Sequence, residues 1–185
     1  MPDKKFLHII EQCKKGNRLA QTNLYQMYYK SLFNTSLRIL NNYTEAEDVM
    51  QESFIQAYNQ LDYFKGNNEA SFGSWLKKII VNRSIDEVRK RKGFHVEIEK
   101  TKIHQQPEEK CKDYGLSSEL VYKAILELPD KYRTILSLYL MEGYDHDEIA
   151  DILNISNNNS RTSYHRAKER LKKVIKDLQP EFSLN

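Results

Sequence analysis

A run of three asparagines followed by basic residues, towards the C-terminal end of the chain, has side chains suited to nucleic acid. Asparagine and arginine can each form paired hydrogen bonds with the edge of a base, and clustered cations bind phosphates. From Arg161 to Lys176, seven basic residues stand against one acidic residue, for a local net charge of +6. The candidate contact residues in this segment are Asn157, Asn158, Asn159, Arg161, Thr162, Ser163, His165 and Arg166.

Small and apolar side chains recur along the same segment and predict the helix that must position these contacts. Their steps of four and three residues match one face of an α-helix, so the asparagines lie in its first turn and Ser156 is its predicted N-cap. A shorter helix precedes it, beginning near Asp145 or His146. Asn154 is predicted to end this shorter helix in the left-handed conformation, which asparagine tolerates. The predicted inner positions of the second helix are Ser160, Tyr164, Ala167, Leu171 and Val174.

A helix, a three-residue turn and a second helix form the helix-turn-helix pattern. In such units the N-terminal part of the second helix faces base edges in the major groove, and later basic side chains hold phosphates. Helical hairpins that bind no nucleic acid share this pattern, so the segment by itself leaves a purely structural hairpin as the alternative.

A second basic segment lies in the first half of the chain. From Lys77 to Lys92 there are seven basic and two acidic residues, for a local net charge of +5. Apolar positions from Phe72 to Val88 predict a helix here, capped by Ser71 and preceded by the loop Lys65 to Ala70. Trp75 falls on the apolar face and is predicted to be a core anchor rather than a platform for base stacking. Two basic segments on a chain of net charge +3 suggest two contacts with a polyanion, although either could be a solvated helix face.

An acidic helix precedes the second basic segment. Glu45, Glu47, Asp48 and Glu52 occur with no basic residue among them. Thr44 is the predicted N-cap, and Glu47 stands three residues later, at the spacing of a capping box. Acidic residues in a first turn also stabilise the positive end of the helix dipole, so a solvated face is one interpretation of this charge.

Helical periodicity divides the chain into two parts. The stripe from Tyr25 to Leu40 and the segments described above all have helical spacing, whereas the stretch around Pro107 has none. We therefore predict an all-α protein with two small helical domains, residues 1–92 and residues 119–185. Residues 93–118 are predicted to form a flexible linker, because so long an aperiodic stretch is uncommon inside a compact domain.

Other patterns exclude or disfavour whole classes of protein. The longest apolar windows are far shorter than the roughly 18 to 20 residues that span a bilayer, and no secretory segment follows Met1. Cys13 and Cys111 lie far apart, without the spacing of a disulfide framework or a zinc knuckle. The five histidines do not converge at ligand spacing. We therefore predict a cytoplasmic protein with no stable membrane insertion, no metal, no cofactor and no catalytic residue.

Two pairs of segments together resemble one known family. TEAEDVMQESF, residues 44–54, and FGSWLKKIIVNRSIDEVR, residues 72–89, are similar to region 2 of the extracytoplasmic-function sigma factors of bacterial RNA polymerase. LPDKYR, residues 128–133, and DEIADILNIS, residues 147–156, resemble region 4 of the same family. Two signatures in this order, separated by an aperiodic stretch, are far more specific than either one alone.

The resemblance implies partners and roles for particular residues. Region 2 of this family docks on a coiled coil of the largest subunit of RNA polymerase core and holds the minus-ten promoter element, while region 4 contacts the flap and the minus-thirty-five element. Asp48, Gln51 and Glu52 would then bind core, and the candidates from Asn157 to Arg166 would read minus-thirty-five DNA. An anti-sigma factor is a further expected partner. The residues implied in minus-ten contacts are Lys65, Asn67, Asn68, Lys77, Lys78, Asn82, Arg83, Arg89 and Arg91.

The chain departs from the family where promoter sequence would be read. Relatives often have glycine at the position of Asn154, a Gly-Thr-Val sequence at residues 158–160, and a basic residue at the position of Ser163. The promoter sequence therefore cannot be transferred from relatives. The rival function is a stand-alone helix-turn-helix regulator, which would bind a specific operator without polymerase core.

Overall fold

The computed structural model describes residues 3–91 and 117–179, and every regular element in these two ranges is a helix. The chain divides into two compact units, Met1–Val88 and Arg89–Asn185. The predicted all-α fold class is therefore confirmed. Most of the predicted linker, residues 93–118, lies outside the described residues. No helix within the described ranges is long and apolar enough to cross a membrane.

The first unit is built from four helices and one short turn of 3₁₀-helix. The elements are α1 (Lys4–Lys14), α2 (Arg18–Leu40), α3 (Tyr43–Asn59), the 3₁₀ turn Leu61–Tyr63, and α4 (Glu69–Lys90). The core is apolar and aromatic, as the helical periodicity predicted. Its fully buried large side chains are Leu24, Ile39, Leu40, Met50, Leu61, Phe72, Leu76, Ile80 and Ile85.

Two asparagines make the sharp connection between α2 and α3, and the predicted N-cap Thr44 is wrong. Asn41 takes the left-handed conformation, with φ of 52°, and ends α2. The side chain of Asn42 accepts a hydrogen bond from the backbone N–H of Glu45 at 3.2 Å, so Asn42 is the N-cap and α3 already begins at Tyr43. Asparagine can perform both tasks because it tolerates positive φ and is among the strongest N-caps.

The predicted cap of α4, Ser71, is also wrong, because the helix begins at Glu69. The Asn68 side chain accepts a hydrogen bond from the Ser71 backbone N–H at 2.8 Å, and the Ser71 hydroxyl donates to the Asn68 carbonyl at 2.8 Å. Asparagine and serine both favour helix starts, so their close spacing made the assignment ambiguous in sequence. Asn68 is consequently part of the helix start rather than a free loop residue.

Cys13 lies buried on α1, and its thiol is free. Burial raises the pKa of this thiol to about 11, because the neighbouring apolar groups do not solvate a thiolate. Cys13 is therefore a packing residue. Cys111 falls outside the described residues.

The described residues of the second unit form four helices. They are α5 (Ser118–Leu126), α6 (Asp130–Leu136), α7 (His146–Leu153) and α8 (Asn157–Leu178), and a π-helical turn, Ser137–Met141, continues α6. Arg133 is buried, and its guanidinium donates to the Leu128 carbonyl at 2.8 Å and pairs with Asp130. A buried guanidinium needs such partners, so this residue ties the start of α6 to the end of the preceding segment.

The turn between α7 and α8 forms as predicted. Asp145 caps α7, accepting from the backbone N–H of Glu148, whose side chain accepts in return from the Asp145 N–H. Asn154 ends α7 with φ of 54°, and Ser156 caps α8 by accepting from the Asn159 N–H at 3.1 Å. The predicted helix start near Asp145 or His146, the left-handed Asn154 and the Ser156 cap are confirmed.

The buried face of α8 differs from the prediction at its C-terminal end. Ser160, Ala167, Leu171 and Ile175 are buried, whereas Tyr164 and Val174 are half-buried. Steps of four residues from Ala167 lead to Leu171 and then Ile175, so the inner stripe continues through Ile175 rather than through Val174.

Candidate nucleic-acid interface

The acidic residues of α3 divide between two faces of the helix. The side chains of Asp48, Gln51 and Glu52 are exposed and lie on adjacent turns. Glu47 instead faces α2, where its carboxylate accepts a hydrogen bond from the Tyr29 hydroxyl at 3.0 Å. Burial raises the pKa of Tyr29 to about 12, and the hydrogen bond to Glu47 raises it as well, so Tyr29 donates this bond at neutral pH. The three residues predicted to dock on polymerase therefore share one accessible face.

Two residues predicted for different partners contact each other in the free protein. Arg83 of α4, predicted to bind phosphate, forms an ion pair with Glu52 of α3, predicted to bind polymerase core. The Arg83 Nε also donates to the side chain of Gln56 at 2.9 Å. Because the pair is partly exposed to solvent, it contributes little stability, on the order of 0 to 1 kcal/mol. Either partner can therefore be recruited by another charged molecule at small cost.

An exposed apolar residue stands beside the acidic face and was not among the sequence candidates. Ile55 is 61% exposed on α3, one turn after Gln51 and Glu52. Single exposed isoleucines are common, so only its place next to the predicted docking residues draws attention to it. The sequence could have identified Ile55, because it lies seven residues after Asp48 and therefore on the same side of the helix, away from the apolar face.

A surface groove of about 300 Å³ collects several residues predicted to contact minus-ten DNA. Trp75 packs against Phe64 and Phe72, with ring centroids 5.5 and 5.4 Å away, and it is also half-buried at the groove wall. The predicted anchoring role of Trp75 is compatible with these contacts, and its remaining surface is open to the groove. The groove is lined by Gln56, Gln60, Trp75, Lys78, Ile79, Asn82, Arg83 and Asp86.

The loop before α4 is more tightly held than the sequence suggested. A Cβ atom at Gly66 would collide with the Phe64 ring and the Ser71 hydroxyl, so the backbone passes close to both. The Asn67 carbonyl accepts from the Asp3 backbone N–H at 3.1 Å. The loop residues with exposed side chains include Lys65 and Asn67. These two side chains are thus presented by a loop with a defined backbone.

The remaining minus-ten candidates spread along α4 and just beyond it. Lys77 is half-buried and Arg89 is exposed within the helix, while Arg91 is half-buried immediately after it. Lys78 and Asn82 are exposed one turn apart. Their contacts with DNA stay predictions.

The candidates on α8 fall into groups by exposure. Asn158 and Arg161 are exposed, and the other six are half-buried. Asn157 has both sides of its amide occupied: its Nδ2 donates to Asp147 Oδ1 at 2.6 Å, and its Oδ1 accepts from Arg161 Nε at 2.9 Å. Asp147 was not a sequence candidate. No spacing rule could have found it, because the contact crosses from α7 to α8.

A buried polar pair joins the inner faces of α7 and α8. The His146 Nδ1 and the Ser160 Oγ are 2.9 Å apart, and both side chains are buried. The His146 ring stacks on Tyr139 at a centroid distance of 4.8 Å and meets the edge of Tyr164 at 5.5 Å. A buried hydrogen bond has direction as well as strength, so it constrains how the first turn of α8 sits on α7.

Comparisons with known proteins match both units. The Sigma-70 region 2 family matches residues 24–94, and the Sigma-70 region 4 family matches residues 118–171. The ECF RNA polymerase sigma factor SigW of Bacillus subtilis is 36% identical over 182 residues, which cover 91% of this chain and 96% of the relative. The ECF RNA polymerase sigma factor SigM of the same organism is 31% identical, covering 80% of this chain and 91% of the relative.

Solved structures share the fold. The sigma factor RpoE of Bartonella quintana, determined in complex with the anti-sigma factor NepR, has a TM-score of 0.54 at 23% identity and covers 84% of this chain and 96% of its own. CnrH, determined with the cytosolic domain of CnrY, has a TM-score of 0.53 at 21% identity, covering 91% and 96%. With both family regions present in order and a relative of 36% identity over nearly the whole chain, the protein belongs to the extracytoplasmic-function sigma factors of RNA polymerase.

Proposed function

We propose that this protein binds RNA polymerase core and directs it to specific promoters, where transcription then begins. The observation that carries the proposal is the presence, in one chain of this family, of an exposed acidic face on α3 and a helix-turn-helix unit. The proposed role requires no catalytic group, because nucleotide addition is performed by the polymerase.

Core binding is proposed to use Asp48, Gln51 and Glu52, with Ile55 as an apolar addition to the same face. A basic coiled coil would find two carboxylates, an amide and an aliphatic side chain on consecutive turns of α3. Charge complementarity of this kind accelerates association and discriminates against wrong partners. A basic partner also competes with Arg83 for Glu52, so docking releases Arg83 for another contact.

Minus-ten DNA is proposed to lie along the groove and the loop of the first unit. Cations at Lys65, Lys77, Lys78, Arg83, Arg89 and Arg91 supply phosphate contacts, and Asn67, Asn68 and Asn82 supply amides. The Asn68 side chain would take part only through the groups that its capping bond leaves available. Unpairing a few base pairs costs free energy, which capture of the unstacked bases on aromatic and polar side chains offsets.

Minus-thirty-five DNA is proposed to bind the N-terminal half of α8. We propose the functional boundaries 1–92 for region 2, 93–118 for the linker and 119–185 for region 4, and contact of region 4 with the polymerase flap. The proposal further includes a cytoplasmic location, where the polymerase acts, and control by an anti-sigma factor, which the family resemblance implies.

The proposal is tested by run-off transcription with purified polymerase core and a pool of genomic promoter fragments. We expect the protein to add defined start sites that core alone does not use, and sequencing of the transcripts then reveals the shared upstream elements. The matched control is heat-denatured protein with the same core and fragments.

The same experiment discriminates the rival function. A stand-alone regulator would bind one duplex tightly without core and would add no start site to core transcription. That result would overturn the proposal. The helix-turn-helix unit alone is compatible with either function, but the region 2 match favours the sigma factor.

A further inference from the structure

The first turn of α8 carries a short chain of hydrogen bonds that begins on α7. The Asp147 carboxylate accepts from the amide of Asn157 at 2.6 Å, and the amide oxygen of Asn157 accepts from Arg161 Nε at 2.9 Å. Asn157 and Arg161 are four residues apart and therefore lie on the same side of α8. These hydrogen bonds connect an acidic residue before the turn, Asp147, to an exposed arginine after it, Arg161.

Asp147 is available for this contact because other residues cap α7. Asp145 accepts from the backbone N–H groups of Asp147 and Glu148, and the Glu148 side chain completes the capping box. The Asp147 side chain is exposed and takes no part in the capping bonds. Its short bond to Asn157 therefore has a role other than capping.

The two bonds determine the orientation of the Asn157 amide. An asparagine amide has a donating NH₂ group and an accepting oxygen, and only one of its two orientations gives Asp147 a donor and Arg161 an acceptor. A charged acceptor on one side strengthens the bond. Both the NH₂ group and the oxygen of the Asn157 amide are therefore engaged in hydrogen bonds.

The bond to Nε restricts the guanidinium of Arg161 while leaving its two terminal NH₂ groups available. Those groups form the pair that binds a guanine edge or a phosphate in bidentate fashion. A long side chain held in place before binding loses less conformational entropy when it binds. Arg161 is therefore presented to DNA by its neighbours.

We propose that Asp147 and Asn157 are positioning residues that hold Arg161 for contact with promoter DNA, and that Asn157 does not itself read a base. The assignment rests on the proposed function, because it presumes that α8 meets minus-thirty-five DNA. Asn157, which the sequence suggested as a base contact, becomes a positioning residue, and Asp147 is added to the binding surface.

The positioning role and simple electrostatics make different predictions for substitutions of Asp147. Removing a negative charge near a DNA-binding helix strengthens attraction to phosphates, so electrostatics alone predicts tighter binding for both Asp147→Asn and Asp147→Ala. The positioning role predicts different affinities for the two variants, because asparagine retains an oxygen acceptor and alanine does not. Asp147→Ala should weaken binding by roughly threefold to tenfold relative to Asp147→Asn, the range for one lost side-chain hydrogen bond.

The experiment uses the full chain assembled with polymerase core and one duplex chosen by the wild-type holoenzyme from a pool with randomised upstream elements. Affinity is measured for wild type, Asp147→Asn, Asp147→Ala, Arg161→Ala and the double variant Asp147→Ala with Arg161→Ala. Asp151→Ala is the matched control, since Asp151 is exposed on the same helix and its loss changes the charge equally. Selection from the pool is repeated with Asp147→Ala to record base preference.

We expect Asp147→Ala to bind less tightly than Asp147→Asn, to relax base preference at one upstream position, and to have no further effect once Arg161 is alanine. The assignment would be overturned if Asp147→Ala bound DNA as tightly as Asp147→Asn, or more tightly. It would also be overturned if Asp147→Ala weakened binding to the same degree when Arg161 is alanine. A wild-type holoenzyme that selects no upstream element would overturn the proposed function itself. The two failures are therefore distinguishable.

Discussion

Glu52 and Arg83 contact each other in the free protein, and each is also predicted to bind another molecule. Their ion pair occupies one residue predicted to bind polymerase and one predicted to bind DNA. Since exposed ion pairs exchange readily for other charged partners, formation of the holoenzyme can free both residues for new contacts. Asp48, by comparison, is exposed on the same helix face and offers the simpler test of docking.

Asp48→Lys should weaken binding to polymerase core at least about tenfold, because it places a like charge against a basic partner. Binding of labelled core is the measurement, and circular dichroism verifies that the helices persist. Asp62→Lys is the matched control, since its side chain is 86% exposed in the same unit and undergoes the same change of charge. Unchanged core affinity of Asp48→Lys would show that this face of α3 is not the docking surface.

The joint between α7 and α8 is held by contacts on two sides. Inside, His146 and Ser160 form a buried hydrogen bond, and outside, Asp147 bonds to Asn157. The turn itself depends on the positive φ of Asn154 and the cap of Ser156. Together these contacts determine how α8 is oriented relative to α7.

A double-mutant cycle should detect the inner contact. Ser160→Ala and His146→Phe should each destabilise the second unit by about 1 to 3 kcal/mol, because each leaves a buried polar partner without its bond. The double variant should lose less than the sum, by about 1 kcal/mol. Additive losses would mean that the two side chains are not coupled.

Amide hydrogen exchange of α7 and α8 is the suitable measurement for this cycle. The single tryptophan, Trp75, lies in the first unit, so its fluorescence reports on a different part of the chain. Exchange of α3 amides supplies the internal control, since neither substitution touches that helix.

The whole molecule combines surfaces that are individually weak. Its formal net charge is only +3, and its basic residues are divided between the two units. The acidic face of α3 carries no attraction for DNA at all. Tight promoter recognition is therefore expected from the assembly with polymerase, which adds binding surfaces and holds them on one DNA molecule.

The free protein should bind a promoter duplex weakly, and this residual affinity should fall steeply with salt. Each phosphate neutralised contributes a slope of about −0.9 in a plot of log affinity against log salt concentration. Fluorescence anisotropy with a labelled duplex, with and without core, measures both quantities. Tight, sequence-specific binding by the free protein would instead indicate the stand-alone regulator.

Local patterns predicted a large part of this architecture. The helical periods, the capping residues Asp145 and Ser156 and the left-handed Asn154 follow from near-neighbour preferences, which depend on residues at most a few positions apart. Prediction was wrong where neighbouring residues have similar preferences. Thr44 and Ser71 were preferred over Asn42 and Asn68 as helix starts, although all four residue types favour that position.

The sequence by itself determined that the chain is all-helical and to which family it belongs, because helical period and motif order are written along the chain. Only the tertiary structure decided which side chains meet: Glu52 with Arg83, His146 with Ser160, and Asp147 with Asn157. Each pair joins two helices, and the distance between its members depends on how those helices pack. No spacing within a single helix encodes that distance, so the polar contacts that position the predicted binding residues became visible only in the folded protein.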